Sequence, residues 1–152
     1  MKKGFFLLLL VNSICGISSA QIFADKDSLF AQSIKEDKCV FIVFSGSDWC
    51  ANCIRFEKNI LQDSSFQSFL HTNLLYLNVD FPQRKKQSAL LKKQNETLAE
   101  QYNPNGIFPT LVLLTSNKKS IPISYQQETT VVFIDKMKKI LASLKKDNAA
   151  QN

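Results

Sequence analysis

The sequence predicts an α/β domain: a central mixed β-sheet, parallel strands followed by a C-terminal antiparallel hairpin, with helices on its flanks. Three observations carry this. Val40–Phe44 and Leu74–Asp80 are short apolar runs of strand length. Each is followed by a stretch with helical periodicity, and such alternation favours parallel strands joined by right-handed crossovers. Further on, Leu111–Leu114 and Ile121–Ile123 bracket Ser116-Asn117-Lys118-Lys119, which reads as a hairpin turn.

Taken in order, residues 1–20 read as a cleaved secretory signal. Lys2 and Lys3 precede an apolar stretch from Phe5 to Val11, and Ser18-Ser19-Ala20 offers a small-residue cleavage site before Gln21. The stretch is too short for a stable membrane anchor. Cys15 raises lipid anchoring as an alternative, but Asn12 and Ile14 fit such a site poorly. The mature domain is expected over 21–146, with a flexible tail at 147–152. Its first helix, Asp27 to Asp37, would be capped by Asp27 or Ser28 and turn Leu29, Phe30 and Ile34 inward. After the first strand, Cys53, Phe56, Glu57, Ile60 and Leu61 share one helical face. Ser64 with Gln67 suggests a capping box for a short helix burying Phe66, Phe69 and Leu70. His71, the only histidine, falls on its outer side and reads as structural. A polar helix is expected from about Arg84 to Tyr102, with Leu91, Leu98 and Tyr102 inward. Pro122 marks the last strand as an edge strand. Phe133, Met137, Ile140 and Leu144 then form the inner stripe of a final helix, Thr129 to Lys145.

The chain has 152 residues and a formal charge of +6, which becomes +4 without the leader (17 Lys and Arg against 13 Asp and Glu). The basic residues are scattered in short groups such as Arg84-Lys85-Lys86, with no aromatic interleaving, so no nucleic-acid partner is expected. Three cysteines follow the leader: Cys39, Cys50 and Cys53. Cys39 opens a buried strand and reads as an inert core thiol. Cys50 and Cys53 sit three apart where the loop Ser45–Trp49 opens a helix. Unpaired N–H groups and the partial positive charge of a helix N-terminus stabilise a thiolate there.

Trp49-Cys50-Ala51-Asn52-Cys53 at a strand-to-helix junction, with Phe108-Pro109-Thr110 opening a later strand, resembles the thioredoxin superfamily. The likeness spans the mature chain. It is nearest the exported thioredoxin-like branch that includes the C-terminal periplasmic domain of DsbD-type reductant conductors; Cys53-Ile54-Arg55-Phe56-Glu57-Lys58 looks like that branch. The resemblance implies a thioredoxin-like fold and a cis Pro109 beside the cysteine pair. Trp49, Phe108 and Pro109 would contact substrate.

On this reading Cys50 attacks a substrate disulfide and Cys53 resolves the mixed disulfide. Glu57, four residues beyond Cys53, is either a half-buried proton acceptor or an exposed residue paired with Arg55 or Lys58. Asp48 is a second acidic candidate, whose charge would raise the Cys50 pKa. Thioredoxins carry a buried aspartate near the end of the preceding strand, where this chain has Val43-Phe44. The absence of a histidine between the cysteines points to a reducing couple. No cofactor or metal is expected. Partners would be protein disulfides or dithiols and a membrane reductant donor, in an exported, periplasmic setting, with no membrane insertion once the leader is removed. The competing reading is a partner-binding module with a static Cys50–Cys53 bridge. A zinc site would need Cys39, Cys50, Cys53 and His71 to converge from separate elements.

Overall fold

The computed structural model describes residues 26–149, so the expected leader, Cys15 and the end of the expected tail lie outside the described residues. The sheet is built on β1 (Val40–Ser45). Strand order is β2-β1-β3-β4, with β2 (Leu75–Asp80) parallel to β1 in the register Val40↔Leu75 to Ser45↔Asp80. β3 (Thr110–Leu114) runs antiparallel along the other side of β1, and β4 (Ser120–Ile123) pairs antiparallel with β3. Pro122 therefore lies on an edge strand, where a missing N–H disrupts least.

Val40 to Phe44 are all at most 1% exposed, which explains the unbroken apolar run: both faces of β1 are covered. Val40, Ile42 and Phe44 pack with Leu29 of α1 (Lys26–Glu36) and Leu98 of α4 (Ala89–Tyr102). Phe41 and Val43 face the other layer. There they meet Phe56 of α2 (Ala51–Phe56), Phe66 of α3 (Ser64–Asn73), and Phe133 and Met137 of α5 (Thr130–Ala149). Each such buried side chain contributes about 1.5–3 kcal/mol, so the strand that delivers the cysteine pair is among the best anchored parts of the molecule. Among the described residues no helix is long and apolar enough to cross a membrane.

Several local expectations give way to better hydrogen bonding. α4 begins at Ala89 rather than near Arg84, because Ser88 caps it by accepting the Leu91 N–H at 3.2 Å. The N-cap of α3 is Asp63, not Ser64: its carboxylate takes the N–H groups of Ser65 and Phe66. Gln67 instead donates its side-chain amide to the Leu61 carbonyl. In α1, which begins at Lys26, Ile34 is 59% exposed; Ser33 takes the inward place and donates to the Lys38 carbonyl at 2.6 Å. Beyond Phe56 the backbone widens into a π-helical turn, Glu57–Leu61, whose Asn59 carbonyl accepts the Thr130 hydroxyl at 2.8 Å. α5 runs on to Ala149, into the stretch expected as tail.

Candidate active site

Because β1 and β2 are parallel and in register, both end at the same rim, and the cysteine loop leaves from there. Cys50 ends the extended chain (φ −85°, ψ 103°) and caps α2 with its own sulfur, which accepts the Cys53 N–H at 3.2 Å. A sulfur atom thus fills the place of the usual N-cap oxygen, where the orphan amides and the helix dipole favour negative charge. Cys50 and Cys53 are joined as a disulfide, with Cα atoms 5.2 Å apart. Both are largely buried, Cys50 at 8% exposure and Cys53 at 3%, so the first cysteine is the more accessible by a small margin.

Two aspartates lace the loop in place. The Asp48 carboxylate accepts three successive backbone N–H groups, from Gln83 (2.9 Å), Arg84 (2.8 Å) and Lys85 (3.0 Å). These bonds, led by that from Gln83, hold its carboxyl below the usual range. Asp48 is therefore spent on anchoring the loop after β2, which is also why α4 cannot start at Arg84. From the other side the Asp80 carboxylate accepts the Ser47 N–H (2.8 Å), the Ser47 hydroxyl (2.7 Å) and the Ser45 hydroxyl (3.2 Å). Neither contact was anticipated from the sequence. Asp80 could have been found by aligning the ends of the two parallel strands, since it sits opposite Ser45.

The aromatic and proline residues complete the rim. The Trp49 indole N–H donates to the Phe81 carbonyl at 2.7 Å, and its ring stands edge-on to Phe108 at 5.5 Å between centroids. Phe108 in turn meets Phe81 at 5.6 Å. The Phe108–Pro109 peptide is cis. Its loop is organised by buried Asn103, which donates to the Ile107 carbonyl (2.9 Å) and accepts the Ile107 N–H (3.1 Å). The Thr110 hydroxyl lies 2.8 Å from that same carbonyl, and Gly106 takes φ +61° at the turn. Asn103 reads as an ordinary loop residue in the sequence.

A cavity of about 360 Å³ opens beside Cys53, lined by Cys53, Glu57, Asp80, Lys85 and Pro109 among others. Glu57 borders it but is exposed, not half-buried; in its π-helical turn Ile60 and Leu61 take the buried side. Nor does it pair with Arg55 or Lys58. Its side-chain contact is the Gln62 amide at 3.5 Å, and Arg55 bonds Asn52. Cys39, the free cysteine among the described residues, is half-buried against the Phe41 side of the core. Burial, and then the charge of Asp37, push its thiol pKa up. It precedes β1, whose far end at Ser45 lies about 20 Å away at 3.3 Å per residue and leads into the loop that delivers Cys50. His71 is exposed on α3, and no group of His, Cys, Asp and Glu suited to a metal ion forms among the described residues. The four residues named for a zinc site are not brought together.

A thioredoxin-like domain family matches residues 27–145. The chain belongs to that family. The disulfide bond reductase DsbH of Chlamydia pneumoniae is 33% identical over 110 residues, covering 72% of this chain and 66% of that protein, just under two thirds of its length. A solved DsbH oxidoreductase superposes with a TM-score of 0.73 at 28% identity, over 92% of this chain and 95% of that one. The oxidised C-terminal domain of Neisseria meningitidis DsbD has a TM-score of 0.53 at 20% identity, covering 78% and 97%, which is a likeness of fold. Family membership and a helix-capping C-x-x-C disulfide together support a thiol–disulfide redox role.

Proposed function

We propose that this thioredoxin-like chain is an exported thiol–disulfide oxidoreductase that works mainly as a reductase of protein disulfides. The observation that carries the reading is the Cys50 sulfur seated as the N-cap of α2, accepting the Cys53 N–H. In the dithiol form the same N–H and the helix dipole would stabilise a Cys50 thiolate. That thiolate attacks one sulfur of a substrate disulfide, forming a Cys50–substrate disulfide and releasing the other substrate sulfur as thiolate. Cys53 gives up its proton and attacks the Cys50 sulfur. The second substrate thiolate leaves, and the Cys50–Cys53 bridge closes. The substrate gains two electrons and the cysteine pair loses two.

Glu57 and Asp80 border the cavity that Cys53 lines, and Glu57 is the acceptor proposed for the Cys53 proton, since the Asp80 oxygens are already engaged by Ser45 and Ser47. Trp49, Phe108 and Pro109 form the rim on which a substrate strand would lie. Reopening the bridge requires an external dithiol, which a membrane reductant conductor would supply in the periplasm. The relative named as a disulfide bond reductase supports the direction, as does the lack of a histidine between the cysteines.

The test is trapping. Cys53→Ser, expressed with its leader, should accumulate reductant-sensitive mixed disulfides through Cys50, and Cys50→Ser/Cys53→Ser should accumulate none. A Cys53→Ser protein that traps nothing and shows no exchange with glutathione would leave only a binding module with a static bridge.

A further inference from the structure

The loop between β2 and α4 carries Arg84, Lys85 and Lys86, all three exposed. None makes an ion pair among the described residues, whose salt bridges involve Lys26, Lys38, Lys92, Lys136 and Lys139. In sequence this is one basic group among several. In the fold it is the one bolted to the cysteine loop, through the Asp48 carboxylate on the backbone of residues 83–85 and the Trp49 indole on the Phe81 carbonyl. Lys85 borders the same cavity as Cys53 and Pro109.

The acidic groups nearby do not cancel this charge equally. Asp48 and Asp80 are partly buried and turned onto the loop's own donors, so they hold the loop rather than cover it. Lys85 reaches Asp48 only at longer range, as a charge that favours the ionised carboxylate. Glu57, the third, lies across the cavity on the π-helical turn. What this leaves on the loop bonded to Asp48 and Trp49 is a group of three exposed cations with no ion pair among the described residues. Backbone bonds hold the loop, so the three charges are delivered to one place beside the cysteine loop, and what remains to be ordered when a substrate arrives is their side-chain rotamers.

We infer that Arg84, Lys85 and Lys86 select protein substrates whose target disulfide is flanked by acidic residues. This rests on the oxidoreductase reading and adds to it a substrate class. Opposite charge would speed encounter and favour docking with the target disulfide over Cys50, and a basic flank would be repelled.

The experiment uses the dithiothreitol-reduced protein and three cystine peptides that differ only in the residues beside the disulfide: Glu-Glu, Gln-Gln or Lys-Lys. At low ionic strength the second-order rate constant for oxidation of the dithiol should be about tenfold higher with the Glu peptide than with the Gln peptide, and lowest with the Lys peptide. The spread should shrink in 1 M salt, where charges are screened beyond about 3 Å. Arg84→Gln/Lys85→Gln/Lys86→Gln should bring the Glu-to-Lys ratio close to one. Charge reversal, Arg84→Glu/Lys85→Glu/Lys86→Glu, should invert it, a result that a merely damaged loop could not produce. Equal rates for the three peptides, or a preference that survives both variants, overturns the inference while leaving the redox reading intact. Reduction of none of them overturns both.

Discussion

Gly46 tests how the cysteine loop is held. A Cβ at this position would come within 2.3 Å of Trp49 Cε2, 2.5 Å of Nε1 and 2.6 Å of Cζ2. Ordinary contact begins near 3.4 Å, so Gly46→Ala must push the indole by about 1 Å or more. The ring has little freedom to yield, since its N–H is bonded to the Phe81 carbonyl at 2.7 Å and its edge packs on Phe108. Losing the hydrogen bond costs about 0.5–1.5 kcal/mol, and losing the aromatic pair about 0.5–1.5 kcal/mol more. Against this, replacing glycine stiffens the unfolded chain and returns about 0.4–1 kcal/mol. The net expectation is a loss of about 1.3 kcal/mol at the midpoints of these ranges. Trp49 is the only tryptophan, so its fluorescence reports the displacement directly during a urea titration. Emission should shift to the red as the 38%-exposed ring moves outward, and the midpoint should fall. Unchanged emission with stability within about 0.5 kcal/mol of the parent would refute the clamp between Gly46, Trp49 and Phe81.

Asn103→Ala removes both bonds to Ile107 and should cost about 1–3 kcal/mol, read as a lower urea midpoint at unchanged slope. Disulfide exchange should also slow, because the Pro109 loop loses its brace; a variant as stable and as active as the parent would contradict that role. Glu128 should contribute to acid sensitivity. Burial acts to raise its pKa, but hydrogen bonds from Lys136 and from the Glu128 and Gln126 amides, with the Lys136 charge, leave it below the ordinary 4.5. The folded form therefore binds this proton more weakly than the unfolded chain. Its stabilisation is fully present above about pH 4.5 and is lost as pH falls through the lowered folded value. Glu128→Gln should flatten that acid limb in thermal melts across a pH series, and an unaltered slope would show that the carboxylate does not contribute.

Much of this was legible in the chain. The apolar run Val40–Phe44 reads as a fully buried strand, and β1 is buried on both faces. Pro122 assigns β4 to the edge, where it lies, and the stripe through Phe133 and Met137 is the buried side of α5. What could not be read were interactions between loops distant in sequence. Asp48 is drawn away from the cysteines by amides 35 to 37 residues later, and Asp80 meets Ser47 33 residues away. Helical periodicity placed Glu57 with Cys53 and Phe56, but the π-helical turn leaves its side chain exposed. Local pattern finds elements well because burial repeats with the backbone period. It finds caps and clamps poorly when the competing partner comes from another element.

The reduction potential of the Cys50–Cys53 couple tests the proposed chemistry most directly, measured by equilibrating the purified protein with glutathione or dithiothreitol buffers and quantifying the dithiol. A reversible two-electron couple nearer about −270 mV is predicted for a reductase. A value near about −120 mV would make the protein an oxidant, and a bridge that never exchanges would end the redox account.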